Sequence, residues 1–266
     1  MKPQRLQPSF REKVWGSTEL GPWFPSDHRK IGEVWFEADP ALPILVKFLF
    51  TTEKLSVQVH PPDRPGELGK TEMWYILRTD PQARLALGFR EPVSRERLRQ
   101  ASLSGEVENL LEWYPLKPDD TFFAPAGTVH AIGAGLALCE IQENSDITYR
   151  LYDYGRPREL HIDQSLAVAS LGPHPGPSKP VDLGEGVRRL AQSDYFVTES
   201  IHLAERRDYH PEADRFHLLI VVEGQGTIAG ETFRLGEVWL VPAAAEPFPL
   251  IPEGRVHLLR TYLPRR

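Results

Sequence analysis

Short apolar or alternating runs, cut at close intervals by Gly, Pro, Asn and Asp, make up most of this chain. The runs Ile44 to Phe50, Leu55 to His60, Glu72 to Leu77, Arg84 to Leu87, Thr121 to Ala124, Leu136 to Gln142 and Ile147 to Tyr152 carry the rhythm. Segments of this length with period-2 alternation between turn residues form strands, and many in succession form an all-β sandwich or barrel. One stretch departs from it. In Ser94 to Tyr114, Ser104 is placed to cap a helix carrying Val107, Leu110, Leu111 and Tyr114 at i, i+3, i+4 and i+7 spacing, so a small helical insert near 94–114 interrupts the first barrel. A short helix is expected at Ile162 to Ser170.

The segment Gly172 to Pro180 is dense in Gly and Pro and reads as a linker between a first domain, 1–171, and a second, 181–266. Strands recur beyond it, at Phe216 to Val222, Thr227 to Ile228, Thr232 to Leu235, Val238 to Val241 and Val256 to Tyr262. Gly236 and Val238-Trp-Leu-Val-Pro242 echo the approach to Pro125 in the first domain. Where the first domain has Pro125, Gly127 and His130, the second has Pro242, Ala244 and Pro247. An internal duplication is therefore expected in which only the first copy keeps metal-binding chemistry.

That chemistry sits on three segments. In Leu55 to His60, Leu55, Val57 and Val59 alternate with Ser56, Gln58 and His60, so a strand puts Gln58 and His60 on one face. Glu72 opens the next run, and the Pro125-Ala-Gly-Thr-Val-His130 turn can aim His130 at the same point. Two imidazoles and two oxygens converging there suit a divalent ion with an open position. Zinc fits this donor set, and manganese, iron or cobalt also accept imidazole and carboxylate.

Composition narrows the partners. A charged fraction of 26% with 41% hydrophobic residues is that of a folded globular protein. The net charge of -6 contains no basic block, which argues against nucleic acid. No apolar stretch is long enough for a membrane helix, and Met1 to Pro8 lacks an apolar leader core, so a cytoplasmic protein is expected. The one cysteine, Cys139, excludes an internal disulfide and reads as a small buried residue.

The residues Leu42 to Leu49, Gln58-Val-His-Pro61, Gly69-Lys-Thr-Glu-Met-Trp-Tyr-Ile76, Pro125 to His130, and Glu140 through Tyr149-Arg-Leu-Tyr-Asp-Tyr154 resemble the type I mannose-6-phosphate isomerases, in their short bacterial form. The resemblance covers most of residues 10 to 170. It implies two cupin-type β-barrels (a bicupin) and zinc-dependent interconversion of mannose 6-phosphate and fructose 6-phosphate. It also implies a small sugar phosphate as the partner, while the second copy of the duplication is expected to brace the first or a homodimer. By position, Gln58, His60, Glu72 and His130 match the family's metal ligands. Arg150 matches its active-site arginine, and Lys70 and Glu140 match residues lining the substrate pocket. Pro62 stands where an aspartate is usual and Asp119 where cupins commonly carry glycine.

Aldose to ketose conversion moves a proton between C2 and C1 through an enediol, while negative charge grows on the adjacent oxygens. Arg150, permanently charged, can meet that charge, and either Lys70 or Glu140 can move the proton once its pKa is shifted. Simpler roles stay open: Glu140 and Arg150 lie symmetrically about Ser145 and could form a cross-strand ion pair, and Lys70 could be a solvated loop lysine. Lys47, flanked by apolar residues, can approach a phosphate or snorkel. The competing function is a sugar-binding cupin, a sensor or carrier without turnover.

Overall fold

The computed structural model describes residues 1 to 265, which form four antiparallel sheets with few helices. In the first half a six-stranded sheet runs in the order Pro8–Ser17, Ile31–Phe36, Ile44–Thr51, Leu136–Glu143, Glu72–Thr79, Thr121–Ala124. It faces a five-stranded sheet ordered Tyr149–Tyr152, Val57–Val59, His130–Ile132, Arg84–Phe89, Leu111–Pro115. The second half contributes a seven-stranded and a four-stranded sheet. Gln4–Arg5 cross over from the first half and pair with Leu240 and Trp239 at the edge of the seven-stranded sheet.

The six-stranded sheet is covered on both faces, which is why its strands read as continuous apolar runs. Along Ile44–Thr51 every residue is buried. Ile44, Val46, Phe48 and Phe50 point outward to a core shared with Leu190, Phe196, Leu218, Ile220 and Leu259 of the second half. Leu49 points inward, among Trp74, Leu87 and Leu138. The alternation places Lys47 on that inward face, between the two sheets. Cys139 is fully buried on the outward face.

The helical insert differs from its sequence reading. Ser94, not Ser104, is the cap: its side chain accepts the Arg97 N–H and opens the helix Arg95–Ser104. Gly105, at φ 85°, ends that helix in the left-handed region where Gly is at ease, leaving a single turn at Val107–Leu110 before the strand Leu111–Pro115. The i, i+3, i+4 spacing in this stretch marks burial of Val107 and Leu111 rather than one helix. Together with Ile162–Val168, these turns bury Leu98, Ala101, Val107 and Leu166 against Val57 and Val59 on the outer face of the five-stranded sheet. The glycine- and proline-rich segment is held against the first half, with Phe89 N–H donating to Gly172 O at 3.3 Å and Ser178 N–H to Thr121 O at 2.8 Å.

Two turns repeat each other in detail. Gly127 (φ 87°) donates its N–H to His60 O at 2.8 Å, and Thr128 N–H closes on Pro125 O at 3.1 Å. Ala244 (φ 54°) donates to Glu212 O at 3.2 Å, and Ala245 N–H closes on Pro242 O at 3.3 Å. Gly127 is the tighter position, since a Cβ there would meet Val168 O at 2.9 Å. Gly127→Ala should therefore lower stability by about 1–3 kcal/mol, read as a fall of several degrees in Tm by calorimetry.

Candidate metal centre and cavity

Strand register assembles the centre from two facing rows. Across the five-stranded sheet Arg150, Gln58 and His130 are consecutive cross-strand partners. Across the six-stranded sheet Trp35, Lys47, Glu140, Trp74 and Phe122 form a single row, and Gln142, Glu72 and Ala124 form the next row but one. Glu140 and Arg150 thus sit in different sheets. Glu140 is cross-strand from Lys47 and Trp74, so the hairpin ion pair is not formed.

His60, Glu72 and His130 are buried together, and among the described residues they are the only cluster of three or more His, Cys, Asp or Glu side chains that could hold a metal ion. Glu72 Oε1 lies 3.4 Å from His60 Nε2 and 3.3 Å from His130 Nε2. The tautomers follow from the other ring nitrogen. His60 Nδ1–H donates to Ile147 O at 2.6 Å and His130 Nδ1–H to Thr128 O at 3.0 Å. Both Nε2 atoms then present lone pairs to Glu72 Oε1, which receives no hydrogen bond. Three acceptors aimed at one dry point repel each other unless a cation lies among them, and this donor set suits a divalent metal.

Gln58 lies beside the group, its Nε2 3.2 Å from His130 Nε2 and its Oε1 3.0 Å from Ser56 Oγ. A half-turn of the amide presents the oxygen to the same point, because a hydroxyl serves as donor or acceptor.

Lys70 is no solvated loop lysine. It is buried, with Nζ 2.9 Å from Glu72 Oε2, 3.4 Å from His60 Nε2 and 3.6 Å from Glu140 Oε1. Burial opposes its charge, but Glu140 and Glu72 overcome that and raise its pKa. Burial likewise works against ionised Glu72, yet the Lys70 ammonium, 2.9 Å from Oε2, holds its carboxyl well below the usual range. Lys47 does not snorkel either. Its side chain is 1% exposed, with Nζ 3.6 Å from Glu140 Oε1 and 4.1 Å from the centroid of the Trp35 ring. Burial and the nearby Lys70 lower its pKa despite Glu140 and Glu33. Trp74 Nε1–H donates to Glu140 Oε2 at 3.0 Å, a role the sequence reading did not assign.

A cavity of about 230 Å³ opens beside the cluster, lined among others by Lys47, Gln58, Lys70, Glu140 and Arg150. It brings the expected Lys70, Glu140 and Arg150 to one space. The lysines in it face carboxylates: Lys13 Nζ is 3.1 Å from Glu33, and Lys47 and Lys70 share Glu140 and Glu72. Arg150 makes no ion pair among the described residues. One Nη donates to Glu159 O at 2.8 Å and its Nε has no partner. A wider groove of about 710 Å³, lined by Lys54, Arg84, Trp113 and Gly133, lies around the far ends of the strands Ile44–Thr51 and His130–Ile132, away from the cluster.

No protein-family model matches the chain. A mannose-6-phosphate isomerase of Streptococcus mutans is 33% identical to it, with 85% of this chain and 87% of the relative aligned. The chain belongs to the mannose-6-phosphate isomerase family. In keeping with membership of that enzyme family, the crystal structure of the mannose 6-phosphate isomerase from Bacillus subtilis matches at TM-score 0.86 and 28% identity, covering 98% of this chain and 99% of that one. A structure of mannose 6-phosphate isomerase bound with zinc and yttrium shares the fold, at TM-score 0.80 and 20% identity over 100% of both chains. The cupin fold expected from the sequence fits these neighbours.

Within this isomerase scaffold, Lys47 is the residue the sequence carried most openly without its role being assigned. A lysine inside Ile44-Leu-Val-Lys-Phe-Leu-Phe50 must be buried, and buried lysines are kept with partners. Glu33 gave no such sign, because it lies in Ile31–Phe36, outside the expected strands.

Acid should loosen the metal-free protein in a definite window. Burial lowers the His130 imidazole to about 4, while an unfolded histidine titrates near ~6.5. Between those values the unfolded chain binds a proton that the folded chain does not, so stability falls as pH falls. His257, lowered by burial and His202 to about 4, acts in the same direction. Glu72, held low, adds its loss only below the ordinary carboxylate range. Denaturant melts of chelated protein should show stability dropping from about pH 6.5 to pH 4, by up to ~1.4 kcal/mol per pH unit for each such imidazole. A flat profile would contradict the neutral buried histidines.

Proposed function

We propose that this chain is a zinc-dependent isomerase of mannose 6-phosphate and fructose 6-phosphate that works through an enediol. The observation that carries the reading is the buried convergence of His60 Nε2, His130 Nε2 and Glu72 Oε1 beside a cavity holding Lys47, Lys70, Glu140 and Arg150. His60, Glu72 and His130, with Gln58, would hold the ion. When bound, it supplies a positive charge that polarises the sugar's C1 and C2 oxygens.

The remaining roles fall to the chain. Lys70, whose charge Glu140 and Glu72 favour, is placed to donate toward oxygen. Glu140, a carboxylate held by Trp74 Nε1 and facing both ammonium groups at 3.6 Å, is the group able to take the proton from carbon. Arg150, unpaired, meets the growing enediolate charge without losing its own proton. Because Lys47 and Lys70 are already matched by Glu140 and Glu72, a bound dication together with Arg150 leaves the cavity positive. That favours an anionic sugar phosphate over a free sugar.

The wider organisation belongs to the same proposal. Each half is a cupin-type barrel, a reading supported by the paired turns at Gly127 and Ala244. In the second, Pro247 stands where His130 would. A sugar-binding cupin without turnover is the weaker reading, since buried ion pairs are costly and mere binding does not need them.

A coupled assay converting mannose 6-phosphate to fructose 6-phosphate tests this directly. Turnover should vanish on chelation and return with zinc. His60→Ala should lose metal and turnover together, whereas Arg150→Ala should retain metal and lose turnover by roughly 100-fold or more. Full metal occupancy in His60→Ala, or turnover untouched by chelation, would overturn the assignment.

A further inference from the structure

Lys70 and Glu72 meet the centre from opposite sides of Thr71, so their reach depends on where the Thr71 backbone lies. Glu143, at the end of the adjacent strand, holds that backbone twice. Thr71 N–H donates to Glu143 Oε2 at 2.6 Å, and Thr71 O accepts Glu143 N–H at 3.0 Å. The Thr71 hydroxyl in turn accepts Ala126 N–H at 3.3 Å, inside the turn that delivers His130. Glu143 is buried and does not line the cavity, so it has no access to substrate.

The loop leading into Lys70 is anchored at the same place. Lys70 N–H donates to Pro61 O at 3.0 Å, and Gly69 N–H donates to Asp63 Oδ1 at 2.6 Å. Gly69 leaves no room for a side chain: a Cβ there would meet Asp63 N at 2.5 Å. Asp63 itself lies against Glu143, and both face Tyr195 of the second half.

We propose that Glu143 is a positioning residue for the isomerase centre: its side-chain oxygen, acting through Thr71, sets the placement of Lys70 and Glu72 and ties it to the His130 turn. This inference rests on the isomerase reading for its kinetic consequence, and on geometry alone for the rest. The side chain acts as a hydrogen-bond acceptor, not as a charge. Burial raises its pKa to about 7, against the pull of the Thr71 N–H and with the help of Asp63. Whether protonated or not, Oε2 can accept from Thr71, and a glutamine at this position offers the same oxygen plus an N–H toward Asp63. The backbone bond from Glu143 N–H to Thr71 O survives any substitution, so side-chain variants isolate the carboxyl.

The test compares Glu143→Gln with Glu143→Met, which keeps the bulk and removes the acceptor. Three readouts apply: kcat and KM at saturating zinc, the rate of zinc loss to a chelator, and deuterium uptake by the Gly69–Glu72 segment. The Met variant should lose about tenfold or more in kcat, as misplacement of reacting groups does, with KM little changed. It should also release zinc faster and exchange faster at 69–72. The Gln variant should stay within about twofold of the parent on all three, because its amide oxygen keeps the bond from the Thr71 N–H. Parent-like kcat and exchange in the Met variant would overturn the proposal, and so would a Gln variant as impaired as Met. Should the Met variant fail to fold, Thr71→Val breaks the other link and should speed zinc release, and parent-like release there would equally overturn it. Exchange and zinc release need no turnover. If the parent does not isomerise mannose 6-phosphate yet these readouts respond, the functional reading fails and the positioning role stands.

Discussion

Lone pairs from His60 Nε2, His130 Nε2 and Glu72 Oε1 converge between two buried sheets, and most of the surrounding structure answers that constraint. The two imidazoles are oriented by donating Nδ1–H to the carbonyls of Ile147 and Thr128. Glu72 is kept ionised by Lys70. Such an arrangement is unfavourable for an empty apolar core, because each of these groups would gain more from water. It becomes favourable when a cation occupies the focus, so folding and metal affinity are coupled. Stability spent on this cluster is recovered in the apolar core shared between the two halves, where Phe48, Phe50, Phe196 and Ile220 lie together.

Register does the placing. Strands alternate faces, and one sheet of the first half is buried on both, so an inward-facing polar residue has nowhere to go except the space between the two sheets. Lys47, Glu140 and Trp74 fall on one cross-strand row, with Glu72 two residues before Trp74 on the same face. Arg150, Gln58 and His130 fall on a row of the facing sheet. A slip of one residue in any of these strands would send its polar group into the outer core and bring an apolar one to the centre. The pairing of Lys47 with Glu140 and of Lys70 with Glu72 holds charges in the interior without leaving one unmatched. Among the described residues Arg150 is the one charged group lining the cavity that makes no ion pair.

Much of this was legible in the sequence because alternation and turn chemistry are local. Gln58 and His60 on one face of a strand, Glu72 opening the next and a glycine turn before His130 could all be read from spacing, as could the strands around them. The insert was misread because Ser104 and Ser94 are both good caps, and only Gly105, in the left-handed region, decides between them. Glu33 escaped notice because Pro8–Ser17 and Ile31–Phe36 carry several charged residues and pair through irregular register, which weakens the period-2 signal. Asp119 stood where a glycine was expected and does adopt φ 72°, a conformation its side chain tolerates while accepting the Tyr75 hydroxyl. The approach of Gln4–Arg5 to the second half's sheet has no local signature, since two residues carry no periodicity. Glu143 was unreadable for a different reason: its role depends on what Thr71 does across the sheet.

The most direct test of the central claim is zinc-edge X-ray absorption on protein reconstituted with about one zinc per chain. The account predicts a shell of nitrogen and oxygen only, at about 2.0–2.2 Å, with the outer scattering of two imidazoles and no sulfur. Thiolate scattering near ~2.3 Å, or a zinc site with fewer than two imidazoles, would show that the metal does not sit among His60, Glu72 and His130.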